Sequence, residues 1–233
     1  MFIGHYGVSF AIKAVDRNIP LWILFLAVQL VDVLWGIFIL AGIEKARIVP
    51  GITATNPLDL YYMPYTHSLV AAVIWSTVCG GLYWLVIKRG KNQPVTEAAT
   101  SFLRKDGIFF PALLVGLAVF SHWVLDLVVH RPDLSLYDDT YKMGLGLWNY
   151  PAIAFGLEIV LLFGGMLLYL RSTMATNVAG KFGMPILGLI LIAVQSVVFF
   201  GAPPPSAAAA AATALGAYVI FAGAAFWLER QRS

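Results

Sequence analysis

The sequence predicts an all-α, polytopic membrane protein of about six transmembrane helices, plus a short N-terminal helix that is either re-entrant or interfacial. Three observations predict it. Of 233 residues, 60% are hydrophobic and 12% charged, with a mean hydropathy of +0.82, whereas soluble domains carry roughly 25% charged residues. Several apolar runs reach about 20 residues, the length that crosses the hydrocarbon core. Residues 5–17 can form a helix, but one too short to span.

The spans fall at roughly 20–43, 66–87, 107–130, 150–171, 182–201 and 207–228. Asn18-Ile19-Pro20 suits the start of the first, because proline is tolerated in the opening turn. A turn at Asp16–Pro20 folds residues 5–17 back along that span, and His5 and Asp32 then reach similar depths at a rise of about 1.5 Å per residue. The alternative is an amphipathic helix on the membrane surface. Gly201-Ala202-Pro203-Pro204-Pro205 separates the last two spans, and Ala207–Ala212 suits a close-packed helix. The chain reads as one membrane domain, 1–233, with polar helices in 1–171 and two scaffold helices in 172–233.

The N-terminus lacks the features of a cleaved signal peptide, since His5, Lys13, Asp16 and Arg17 interrupt any apolar core. Cys79 is the only cysteine, so no intrachain disulfide forms. The basic balance, +3 with pI near 9, does not call for nucleic acid, because loop charges of a membrane protein produce it too. Eleven Lys and Arg (Lys13, Arg17, Lys88, Arg89, Lys91, Arg104, Lys105, Arg171, Lys181, Arg230, Arg232) fall on one side and four (Lys45, Arg47, Arg131, Lys142) on the other. The positive-inside bias then puts both termini in the cytoplasm.

The four histidines, His5, His67, His122 and His130, all fall in or at the end of apolar helices, where ionisable groups are costly and point to function. His122, Asp126 and His130 follow one helix face at i, i+4 and i+8. His67 and His130 lie at the outer ends of their helices, Asp126 about 6 Å deeper, His122 and Glu158 about 12 Å, and Asp32 about 16 Å. Gln195 falls in the same band. The rungs of the His122–Asp126–His130 ladder are about 6 Å apart, too far for one ion, so Asp126 sits between two metals. Imidazole and carboxylate without thiolate suit zinc, with manganese or iron as alternatives. The metal set is His5, Asp32, His67, His122, Asp126, His130 and Glu158, and Asp32 and Glu158 are also the candidate proton acceptors. Thr66 reads as a helix cap, and Asp133, Asp138 and Asp139 as a solvated loop.

The set His5, Asp32, Thr66-His67-Ser68 and Ser121-His122-Trp123-Val124-Leu125-Asp126 resembles the inner-membrane-associated metal-dependent hydrolases of bacteria. These look distantly similar to the zinc-dependent phospholipase C and single-strand nuclease superfamily, which is all-helical and holds up to three zinc ions. The resemblance covers roughly residues 1–160. It implies that His5 matches the early ligand of one metal and that Asp32, His67, His122 and Asp126 surround a central one, with Asp126 bridging. His130 and Glu158 are candidates for another metal. It departs from the pattern at Met63-Pro64-Tyr65, where the family usually has an arginine, and no histidine follows His130, which favours two metals over three. It also implies a bacterial inner-membrane location; the position of the polar band in the outer half of the membrane points to a lipid or lipid-linked substrate, and paired metals suit a phosphoester.

The expected function is therefore a membrane-embedded metal-dependent hydrolase. The alternative is a proton- or cation-coupled transporter using the same cluster, which requires a polar path to the inner face; Gln29 is the main polar residue there. Haem ligation fits less well, because His122 and His130 share one helix face.

Overall fold

The computed structural model describes residues 1–91, 107 and 109–233. Arg104 and Lys105, two of the charges assigned to the cytoplasmic side, lie outside them, as does the side chain of Lys91. Among the described residues the helices are α1 (Ile3–Val15), α2 (Leu21–Val28), α3 (Leu30–Leu40), α4 (Leu69–Lys91), α5 (Phe109–Val129), α6 (Pro151–Ser172), α7 (Val178–Phe200) and α8 (Ala207–Glu229). Two short antiparallel strands, β1 (Lys45–Ile48) and β2 (Leu58–Tyr62), form a hairpin between α3 and α4. The fold is all-α and polytopic, with five helices among the described residues long and apolar enough to span, or six if the bent pair α2 and α3 is one span.

The caps explain several helix starts. Asn177 accepts the Gly180 amide at 2.9 Å and Ser206 the Ala209 amide at 3.1 Å, each satisfying a donor that the first turn leaves unpaired. Pro151 opens α6 where no amide is needed. At the first span Asn18 does not cap. Its amide is taken by Asp16 Oδ1 at 2.9 Å, and Lys13 Nζ donates to the carbonyls of Arg17 and Ile19 at 2.6 and 2.8 Å. Lys13 also pairs with Glu229, whose Oε2 accepts the Leu21 amide at 2.8 Å. The Asp16–Pro20 turn is thereby tied to the end of α8.

α1 lies inside the bundle, not on its surface. Ile3, Tyr6 and Phe10 are fully buried with Phe25, Val28, Val119 and Leu162 in the main core. It packs chiefly along α6, and α4 against α5, while α2 and α3 share α8. The α1–α6 crossing needs glycine on both sides: a Cβ on Gly7 would collide with the Leu161 carbonyl, and one on Gly165 with the Gly7 carbonyl.

The expectation of one continuous span over 20–43 is corrected. The chain breaks at Gln29, and α2 and α3 meet at 54°. Two partners stabilise the break. His122 Nδ1 lies 2.7 Å from the Val28 carbonyl, and Gln29 Nε2 donates to the Phe2 carbonyl at 3.1 Å. The bend sets the direction of Asp32, the third residue of α3.

Loops segregate by end. At one end, the 172–178 connection meets the carboxyl terminus through the Thr176 amide on the Gln231 carbonyl, 3.0 Å, and Arg232 on Thr173, 2.8 Å. At the other, the β-hairpin meets 131–149 through Arg131–Asp59 and Lys142 on the Tyr61 carbonyl. Met1 emerges at neither end, because its amino group is buried against Asp126. The Asp16–Pro20 turn, not Met1, accompanies the carboxyl end.

Candidate functional site

Six of the seven expected metal residues converge. Asp126 stands at the centre. Its Oδ1 lies 3.2 Å from His5 Nε2, and its Oδ2 lies 3.1, 3.3 and 3.8 Å from Nε2 of His122, His130 and His67. Asp32 Oδ1 lies 3.3 Å from His67 Nε2 and 3.5 Å from His122 Nε2. The donors group as two trios sharing His122: His5, His122 and Asp126, and Asp32, His67 and His122, with ligand atoms within 4.8 Å of one another in each. His5 stacks on His122 at 4.0 Å between ring centroids. The α1 hairpin thus brings His5 to Asp126 and His122.

The other ring nitrogens fix the chemistry. His122 Nδ1–H donates to the Val28 carbonyl. His130 Nδ1–H donates to Asp133 Oδ1 at 2.8 Å. His67 Nδ1 meets Thr66 Oγ at 2.8 Å, and that hydroxyl donates to Glu44 Oε2 at 2.7 Å, so it accepts from the ring. With Nδ1 holding a proton, each ring in its neutral form turns a bare Nε2 lone pair towards carboxylate oxygens, and in its charged form an Nε2–H. Two acceptors facing each other repel unless a cation lies between. His122 Nε2 is buried and has no hydrogen-bond partner. The spacings are compatible with a shared ion: ligands at 2.0–2.2 Å from a tetrahedral zinc stand about 3.4 Å apart, and the Nε2–carboxylate distances here run from 3.1 to 3.8 Å, the shorter ones also within hydrogen-bond range. The residues present fit one metal ion or two.

Glu158 does something else. Its Oε2 accepts the amides of Phe2 and Gly4 at 2.9 and 3.2 Å, and its Oε1 accepts Gln195 Nε2 at 2.9 Å. Those amides open α1 and have no intrahelical acceptor, and a carboxylate there also opposes the helix dipole. Glu158 therefore holds the start of α1, and with it His5, in register with the cluster.

Four residues outside the expected set complete the site. Thr66 is not the α4 cap; Ser68 is, accepting the Ala71 amide at 3.1 Å, which frees Thr66 to bridge Glu44 and His67. Glu44 is buried in the loop, and that burial pushes its carboxyl above the ordinary value, opposed by His67 and by hydrogen bonds from Thr66 and Tyr65. Asp133 is buried instead of solvated, held by His130 and by Arg131 Nε at 3.2 Å. Asp138, by contrast, is exposed. Tyr218 of α8 donates to Asp32 Oδ2 at 2.8 Å, so α7 and α8 serve as more than scaffold. Glu44 and Asp133 carried no signal in sequence that set them apart from solvated loop residues, and Tyr218 had none beyond its depth.

Over the cluster lies a cavity of about 700 Å³ lined by Asp32, His67, Asp126, His130 and Glu158 at its polar side. The opposite wall is apolar and comes from α7 and α8. Fold and site together define a class: an all-helical integral membrane protein with a buried histidine–carboxylate cluster beneath a cavity. Compared with known proteins, the chain matches no family model, no curated sequence and no solved structure.

Proposed function

We propose that the protein is a membrane-embedded metal-dependent hydrolase acting on a phosphoester of a lipid or lipid-linked substrate. The observation that carries this reading is His122 Nε2, buried without a hydrogen-bond partner and aimed between Asp32 and Asp126. The resemblance of the ligand order to the bacterial inner-membrane hydrolases supports it, as does the donor set, which suits two zinc ions, with a third, or manganese or iron instead, as alternatives. Such ions, when bound, activate water and stabilise the oxygens of a phosphoester displacement.

The chain's own groups then have distinct tasks. Asp126 presents one oxygen to His5 and the Met1 amino group and the other to His122 and His130, and would be the central carboxylate holding the metal. Asp32 is the better proton acceptor of the two candidates: one oxygen faces the histidines, its side chain is 19% exposed, and it lines the cavity. Glu158, engaged by two amides and Gln195, orients α1. The Lys/Arg asymmetry supports a bacterial inner-membrane orientation with the Asp16–Pro20 turn and carboxyl end cytoplasmic. The transporter reading is weaker, because the core between Gln29 and the Lys13–Glu229 pair is mainly apolar, with Leu24, Phe25, Met166 and Leu187 buried there and the Ser9 hydroxyl engaged by the Leu24 carbonyl.

The test is metal content by plasma mass spectrometry on the purified protein beside a His122→Ala/Asp126→Ala variant. One to three equivalents in the parent, lost in the variant, support the reading, and lipid phosphoester hydrolysis is then assayed. Absence of metal from both under chelator-free purification sinks it and favours a cation carrier.

A further inference from the structure

The cavity over the cluster is open on its flank. Val197 and Val198 of α7 line it and are nevertheless 70% and 55% exposed. Thr213 of α8 lines it and is also exposed; its hydroxyl is turned back onto the Ala209 carbonyl at 2.9 Å, leaving a methyl on the surface. Between these two rims the wall continues inward over Val194, Ala214 and Ala217 to Tyr218, which holds Asp32. One apolar track thus runs from the side of the bundle to the cluster.

Depth tells what the track meets. Counted from Ala207, Thr213 lies about 9 Å and Ala217 about 15 Å along α8, between the interface and the middle of a hydrocarbon core about 30 Å thick. A water-soluble molecule would have to cross lipid to use this opening, whereas an acyl or prenyl chain is already there. The cavity also touches the 50–58 and 201–205 loops at the end of the bundle, so it spans from interface to hydrocarbon, as an amphiphile does. Its volume lies within the usual range for small-molecule sites, roughly 300–1,000 Å³. Ala214 and Ala217 present only methyl groups to the track.

We infer that the gap between α7 and α8 is a lateral port and chain-binding slot for a membrane lipid, which seats its hydrocarbon between Val194, Val197, Ala214 and Ala217 and its ester at the His/Asp cluster. This inference rests on the hydrolase reading for calling the occupant a substrate.

The experiment uses the full-length protein in lipid nanodiscs with a phospholipid bearing a photoactivatable diazirine on its acyl chain, and maps the labelled peptides. Labelling concentrates on the cavity-facing residues of α7 and α8. It falls about tenfold in Ala217→Phe and Ala214→Phe, where the added ring fills the slot. It persists in Ala212→Phe, a surface change that does not line the cavity. Thermal unfolding identifies any variant that fails to fold, and the second slot variant then decides. Equal labelling along the exposed face of α4, or labelling unchanged by both slot variants, overturns the inference. Metal content is read on the same samples. Metal without port labelling overturns the port and leaves the hydrolase reading standing, whereas port labelling without metal overturns the hydrolase reading and the occupant's role as substrate.

Discussion

Gly165→Ala tests how tightly the α1–α6 crossing sets the site. A Cβ at position 165 would stand 2.9 Å from Gly7 Cα and 2.7 Å from its carbonyl carbon. Non-bonded carbons settle at about 3.5–4.0 Å, so α1 must retreat from α6 by roughly 1 Å. Such overpacking costs about 1–3 kcal/mol. For a chain of this size that lowers Tm by roughly 2–10 °C. The retreat also reaches the cluster, because His5 is two residues from Gly7 and its Nε2 is 3.2 Å from Asp126 Oδ1. Metal-binding geometry tolerates only about 0.5 Å, so Gly165→Ala should lose metal as well as stability. The neighbouring Gly164 is the control: nothing lies within 4 Å of a Cβ there, and alanine should be neutral or stabilising by up to about 1 kcal/mol. The assay is thermal unfolding by tryptophan fluorescence, with metal content on the same preparations. A Gly165→Ala protein matching Gly164→Ala in both would refute the argument that this crossing positions His5.

Other substitutions separate the groups that bind from those that orient. Asp126→Asn keeps the shape but removes the charge that four imidazoles face, and plasma mass spectrometry should find its metal gone. Thr66→Val and Asp133→Ala leave every ligand in place but release the rings of His67 and His130; chelator competition should show metal bound about 10–100-fold more weakly. Glu44 keeps two backbone donors in Thr66→Val, so that variant should fold. At the far end, Lys13→Met strands the Glu229 carboxylate, whereas Lys13→Met/Glu229→Gln removes the lone charge and keeps an acceptor for the Leu21 amide. The single variant should melt below the double, since a partly buried charge left unpaired costs more than a lost pair; the reverse order would mean that solvent compensates Glu229 fully.

Hydropathy alone located the spans, because an apolar run of about 20 residues has few alternatives. The i, i+4, i+8 spacing put His122, Asp126 and His130 on one face, and the rise per residue put His5, Asp32 and Glu158 near their depth. What distinguishes ligand from positioning residue was not legible. Glu158 and Asp126 are both buried carboxylates at matching depth, and only the tertiary arrangement assigns Glu158 to the amides of Phe2 and Gly4. Glu44 and Asp133 sit in loops, where acidic residues are ordinarily solvated, and nothing local marks them as partners of His67 and His130.

The break at Gln29 shows why such things escape a sequence reading. Leu21–Leu40 contains neither proline nor a cap residue at the bend, so local propensity favours one helix throughout. The competing stabilisation is entirely non-local. His122, 94 positions away, donates to the Val28 carbonyl, and the Phe2 carbonyl takes Gln29, 27 positions away. Because Val28 is one turn before Asp32, the bond that fixes the His122 ring is made at the joint that aims Asp32. Ring orientation and carboxylate direction are then coupled: a change that frees Nδ1 of His122 would also loosen the joint. The polar groups of α5 therefore shape the helix they face, and the site and the bend form as one unit.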